Sequence, residues 1–206
     1  MAKAKARPSD PRTPDQVRMR AYNTASVAAW NGLTHAQRAA WQGYAERYFA
    51  PADLPVRDGA FGLGAFVRAN TMRQILQLDL VRDAPLHEPP VRPTGLRQLA
   101  VDSEGALAFE LDHGLPDVAG LMAAVRATPR IGAVAMTPNI QKHRYVCGVS
   151  PDSFLPLPPS GGALRFGQIR FPVPHGKRYG VEVRIVRVAE GIAGAAIYGD
   201  FFKELR

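Results

Sequence analysis

One cysteine, Cys147, stands in 206 residues, so no intrachain disulfide is available and the fold rests on its core alone. Cys147 lies in an alternating stretch between Tyr145 and Val149, where a small buried hydrophobe is expected rather than a nucleophile. No apolar run approaches the ~18 residues that a bilayer span needs. The charged N-terminus is followed by no apolar signal core, so export by a signal peptide is not expected and no membrane role follows. Acidic residues are also few: 18 Asp and Glu against 26 Lys and Arg leave a formal charge of +8. That balance favours an acidic partner: nucleic acid, an anionic surface or an acidic protein face.

Catalytic and metal-binding patterns are missing as well. The five histidines, His35, His87, His113, His143 and His175, are scattered, and none pairs with Cys, His or a carboxylate at a metal-ligand spacing. Asp112-His113 is the nearest acid–base pair, but it sits before Gly114 at a strand end, where a turn role is expected. Gly148-Val149-Ser150 lacks the second glycine of a nucleophile elbow. Gly59-x-x-Gly62-x-Gly64 has the wrong spacing for a phosphate loop. No catalytic residue, cofactor or metal is expected.

What is present divides the chain in two. Residues 1–12 form a flexible basic arm, with Lys3, Lys5, Arg7 and Arg12 joined by Arg18 and Arg20 as candidate polyanion- or partner-binding residues. A helical module follows over 13–82. Thr13-Pro14-Asp15-Gln16 reads as a capping box, and Val17, Ala21, Thr24 and Ala28 share one face, which Tyr22, Ala25 and Ala29 widen. Asn31-Gly32 supplies a left-handed stop. Thr34-His35-Ala36-Gln37 is a second capping box, ahead of a stripe of Trp41, Tyr44, Ala45 and Tyr48. The short link predicts an antiparallel αα-hairpin, anchored by Trp30 and Trp41 with Tyr44. A third helix is expected from Phe61 to Leu78.

Residues 83–95 are a proline-rich linker. Beyond them the apolar period changes from 3.6 to 2, and seven strands are expected in residues 96–206: 96–101, 106–112, 121–127, 143–149, 164–172, 178–188 and 192–202. Asp102-Ser103-Glu104-Gly105 joins the first two. The alternation slips at Gly167-Gln168, which predicts a bulge. Tyr179, Val181, Val183 and Ile185 form an inner face, with Arg178, Glu182 and Arg184 facing out. The fold class is therefore α+β in separate modules: three helices, an αα-hairpin plus one, then an all-β sandwich.

Two resemblances sharpen this reading. Pro90, Pro93, Leu96, Leu99 and Val101, with Val173-Pro174-His175-Gly176-Lys177-Arg178-Tyr179 and Gly191, resemble a fibronectin type III or immunoglobulin-like domain. Tyr179 is then a structural anchor. The second strand carries Phe109 where that family usually has a core tryptophan. Pro11-Arg12-Thr13-Pro14, Trp30, Leu33-Thr34, Ala36-Gln37-Arg38, Ala40-Trp41, Tyr44-Ala45, Phe66 and Asn70 resemble uncharacterised bacterial and phage-associated proteins that join a tryptophan-bearing helical hairpin to such a domain. The same helices are similar to the junction of an HMG box, without its apolar wedge or basic opening strand.

The resemblances imply a non-enzymatic structural or interaction protein, a virion or cytoplasmic assembly subunit with protein partners or further copies of itself. The sandwich would dock while the arm reaches a neighbour. A cytosolic nucleic-acid-binding protein using the hairpin and arm is the alternative, and an enzyme with a site at the module junction is the third class.

Overall fold

The Thr34 capping box sets the start of the second helix in the structure: Gln37 N–H donates to Thr34 Oγ1 at 3.2 Å, and Thr34 N–H donates to Gln37 Oε1 at 3.0 Å. The computed structural model describes residues 14–49, 60–102, 106–127, 144–145, 154–168 and 177–203. The helices are α1 (Pro14–Asn31), α2 (His35–Tyr48) and α3 (Ala60–Ile75). The Thr13 cap, the arm, Cys147, His143, His175, residues 103–105 of the first hairpin turn and the Val173–Gly176 turn lie outside the described residues.

Among those residues there are nine strands: β1 (Gly95–Val101), β2 (Ala106–Asp112), β3 (Leu121–Ala127), β4 (Arg144–Tyr145), β5 (Phe154–Pro156), β6 (Gly162–Gln168), β7 (Lys177–Arg187), β8 (Ile192–Ala193) and β9 (Ile197–Lys203). The count differs from the expected seven. The last predicted strand is split into β8 and β9, and β5 adds a short second partner for β3. Short strands with irregular connections carry too few alternating residues to be seen as periodicity.

All strand pairs are antiparallel, in two sheets: β1-β2-β6, and a larger one in which β3 lies between β4/β5 and β7, while β7 pairs on its far side with β8 and β9. The inner faces bury Leu107, Phe109, Phe166, Tyr179, Val181 and Ile185 in one core. Phe109, in place of the family tryptophan, stacks on Phe166 at 5.6 Å between centroids. The bulge falls where the alternation slips: Ala106 pairs with Gln168 and Leu107 with Phe166, leaving Gly167 as the extra residue.

The outer face of the larger sheet is covered by helices. Val186, Ala124 and Phe154 pack with Ile75, and with Met19, Tyr22 and Met72 from α1 and α3. The molecule thus has three layers: small sheet, large sheet, helices. The expected outward polar face of β7 is corrected accordingly: Glu182 is buried and accepts from Arg184 Nε at 2.6 Å, because this face meets helix rather than water. In the same way Ile192 of β8 enters the helical core beside Trp41 and Phe66.

Three helical expectations also change. α1 turns Val17, Ala21, Thr24 and Ala28 outward and packs through Met19, Tyr22 and Ser26. Its seam is polar: buried Ser26 donates to Tyr22 O at 2.9 Å and accepts from Gln74 Nε2 at 2.9 Å, which hydrophobic periodicity cannot register. α1 and α2 each pack on α3 rather than along one another, so no side-by-side hairpin forms; Trp30 and Trp41 both meet Phe66 of α3, at 5.4 and 5.3 Å. Gly32 is not left-handed. The last carbonyls of α1 are satisfied by i+3 bonds and by Arg38, whose Nη2 donates to Asn31 O at 2.8 Å, so no left-handed residue is needed.

α3 ends at Ile75, short of Leu78. Gln77 takes the left-handed position at φ 59°, Leu78 N–H bonds Arg73 O at 2.9 Å and Gln77 N–H bonds Gln74 O at 3.1 Å: a Schellman ending with glutamine where glycine is usual. Gly62 lets α2 and α3 approach closely, its N–H donating to Gln42 Oε1 at 2.8 Å. That closeness, not phosphate binding, is its role.

Candidate interaction surface

The i, i+4, i+7, i+11 spacing of Gln37, Trp41, Tyr44 and Tyr48 puts four hydrogen-bonding side chains on one face of α2. All four meet the chain between α3 and β1. Gln37 Nε2 donates to Asp83 Oδ1 at 2.9 Å, Trp41 Nε1 to Arg82 O at 2.8 Å, Tyr44 Oη to His87 O at 3.2 Å and Tyr48 Oη to Glu88 Oε1 at 3.5 Å. Asn70, fully buried on α3, holds Val81 by both backbone groups. Residues 81–94 therefore form a strap laid on the helices. Four prolines in it remove backbone donors and favour extended backbone, so side chains from α2 and α3 supply the fixing bonds.

The strap also meets the sandwich. Pro90 lies so close to Gly194 that a Cβ there would collide with the Pro90 carbonyl. At Gly191, φ is +67° and a Cβ would collide with the Ala69 carbonyl of α3. Arg73 donates to the Ala189 carbonyl across the same junction.

This fixed strap turns apolar side chains outward. Leu86 is 94% exposed and Val91 is 53% exposed. They border a groove of about 550 Å³ whose other wall is Leu115, Pro116 and Leu121 of the sandwich. Glu190 sits behind it, 2.7 Å from His87 Nδ1 and 3.7 Å from Arg187 Nε. Burial, and then the Glu190 charge, push the Tyr44 phenol well above its usual range. The surface offers an ordered apolar ridge with a charged base.

The sequence-derived candidates fall apart in space. Arg18 and Arg20 are both exposed on α1, but two residues apart on a helix means ~200° around the axis, so they lie on opposite flanks. Lys3, Lys5, Arg7 and Arg12 lie outside the described residues. Trp30, Trp41 and Tyr44 gather in the helical core around Phe66, while Tyr179 is buried in the sandwich. His113 is buried with both ring nitrogens engaged: Nε2 donates to Pro158 O at 2.8 Å and Nδ1 accepts Leu115 N–H at 3.1 Å. Among the described residues, no group of three or more His, Cys, Asp or Glu is placed to hold a metal, and no helix is long and apolar enough to cross a membrane. Leu86, Val91 and the strap-holding role of Asn70 were not singled out from the sequence. The available signal was a lone buried-face asparagine in an apolar helix and a leucine between prolines.

No protein-family model matches this sequence, and neither does any curated protein. Among solved structures the chain is similar to the interferon gamma receptor alpha chain of chicken, at 16% identity and a TM-score of 0.34 over 58% of this chain. It spans 53% of the receptor chain, about half its length. The immunoglobulin-like character of the β domain rests on its strand order, three strands facing a β3–β7-centred sheet.

Proposed function

We propose that this chain is a non-catalytic interaction subunit that docks onto a partner protein through the strap ridge, as part of a phage particle or a similar assembly. One observation carries the reading: Leu86 stands 94% exposed on a strap whose backbone is tied down by Trp41, Tyr44 and Asn70. An apolar side chain on an already ordered backbone binds without a further backbone ordering cost, and burying one leucine gains ~1.5–3 kcal/mol. The likeness of the helical residues to phage-associated proteins supports the setting.

The test is a density gradient of native lysate, with and without DNase, on the natural chain and on Leu86→Asp. Sedimentation with heavy, DNase-resistant particles, lost in Leu86→Asp, is the expected result. Protein found only in light fractions overturns it. Heavy material released by DNase favours nucleic-acid binding through Arg18, Arg20 and the basic residues before them.

A further inference from the structure

A second groove crosses the junction of helices and sandwich and shares Glu88, Pro89 and Pro90 with the wall of the first. Its first half, about 370 Å³, has an apolar floor of Met19, Met72 and Ile75. Its second half, about 340 Å³, is walled by Tyr48, Phe49, Pro89 and Pro90. The two halves share Arg68, Arg184 and Ala193, so they meet at a pair of guanidinium groups.

Among the described residues Glu182 pairs with Arg184, so the guanidinium at the junction that no carboxylate neutralises is that of Arg68. Arg68 lies over the Phe49 ring at 5.6 Å and has no carboxylate partner among the described residues. Arg184 Nε is held by Glu182 at 2.6 Å and Nη1 by Gly194 O at 3.2 Å, which fixes the guanidinium and leaves Nη2 without a partner among the described residues. Thr71 Oγ1 donates to Asn23 Oδ1 at 2.8 Å, which orients the Asn23 amide with its NH2 as a further donor on the wall. Glu88, at the far end, is the one acid lining either half.

We infer that this groove binds an extended segment of a partner protein in which one acidic side chain is flanked by apolar ones. Arg68 selects the carboxylate, with Arg184, already paired to Glu182, as a second donor. Guanidinium suits it, with planar donors and no acceptor. Apolar surface on both sides selects the flanks. In an extended chain residues i−2, i and i+2 share a face, so the motif is apolar-x-acidic-x-apolar. Adaptable methionines in the floor tolerate more than one apolar side chain. The site names partner chemistry for the docking reading above, on which it rests.

The probe is a fluorescein-labelled peptide, Ser-Leu-Ser-Asp-Ser-Leu-Ser, with neutral ends, followed by fluorescence anisotropy on the full chain. Replacing its Asp by Asn, or Arg68→Glu in the protein, is expected to weaken binding at least tenfold. Arg68 is exposed, so the variant keeps its circular dichroism and melting temperature. A Lys-for-Asp probe should bind Arg68→Glu better than the natural chain. No saturable binding by the natural chain, or equal binding by Arg68→Glu, overturns the inference. So does saturable binding of decanoate without peptide binding, which makes the groove a small-amphiphile site. Leu86→Asp leaves peptide affinity unchanged, so failure of the ridge appears in the gradient and failure of the groove in the anisotropy.

Discussion

The Asn70 side chain and the Val81 backbone exchange two hydrogen bonds, Val81 N–H to Oδ1 at 2.8 Å and Nδ2 to Val81 O at 3.1 Å. One amide does here what a neighbouring strand would do. It fixes the point where the strap leaves the helices. Asn70→Leu keeps the volume but leaves a backbone donor and acceptor without partners, at a cost of ~1–3 kcal/mol for each group that stays buried. A loss of about 3 kcal/mol in urea unfolding is expected. Hydrogen exchange at Val81 should quicken before global unfolding. Unchanged exchange there would show that the strap is held by other means.

Gly191 and Gly64 should respond to alanine with opposite signs. At Gly191 both φ and the Ala69 carbonyl exclude a Cβ, and the helices would have to lift off the sandwich. Gly191→Ala should cost on the order of 3 kcal/mol. Gly64 lies exposed in α3 with nothing within 4 Å of an added Cβ. Gly64→Ala should stabilise by about 0.5–1 kcal/mol. Thermal melts decide both.

Gln77→Gly tests the ending of α3. A glutamine at φ 59° carries strain that glycine lacks, set against glycine's greater freedom when unfolded. A net gain of about 0.5–1 kcal/mol is expected, or roughly 1–4 °C in melting temperature. No gain would mean that the unfolded-state entropy cancels the strain.

Alkaline pH should expose Tyr44. Its phenol is held protonated by burial and by Glu190, so the folded pKa lies above the unfolded value of 10.0. Above pH 10 the unfolded state gives up the proton while the folded state retains it. The contribution is therefore complete below about pH 10 and is lost as pH rises toward the folded value. The stability difference between the natural chain and Tyr44→Phe should be flat up to pH 9 and shift in favour of Phe above pH 10. A pH-independent difference would contradict this.

Local chemistry was legible wherever it was complete within a few residues. The Thr34–Gln37 capping box, the Gly167 bulge, the inner face of β7 from Tyr179 to Ile185, and Trp41, Tyr44 and Ala45 as a buried stripe are all set by spacing alone. Each depends on neighbours three, four or two positions away, so no other part of the chain is needed to read it. The docking surface was not legible. Leu86 in sequence is one leucine among prolines, and nothing nearby says that Trp41 and Asn70 will hold its backbone still.

Which second face each element buries was decided only by tertiary structure. Val17, Ala21, Thr24 and Ala28 repeat at helical spacing, yet α1 packs through Met19, Tyr22 and Ser26, where Gln74 of α3 donates to Tyr22 O and Ser26 Oγ. Glu182 alternates as a solvent residue would, yet it is buried with Arg184 because helices cover the sheet. The sequence alone determined the element types, the inner sandwich core and the basic charge, since periodicity and composition are properties of a single segment. The three-layer stacking, the strap and both grooves belong to the tertiary structure, because each is made by partners on different elements, from 11 to more than 100 residues apart, whose fit no local pattern encodes.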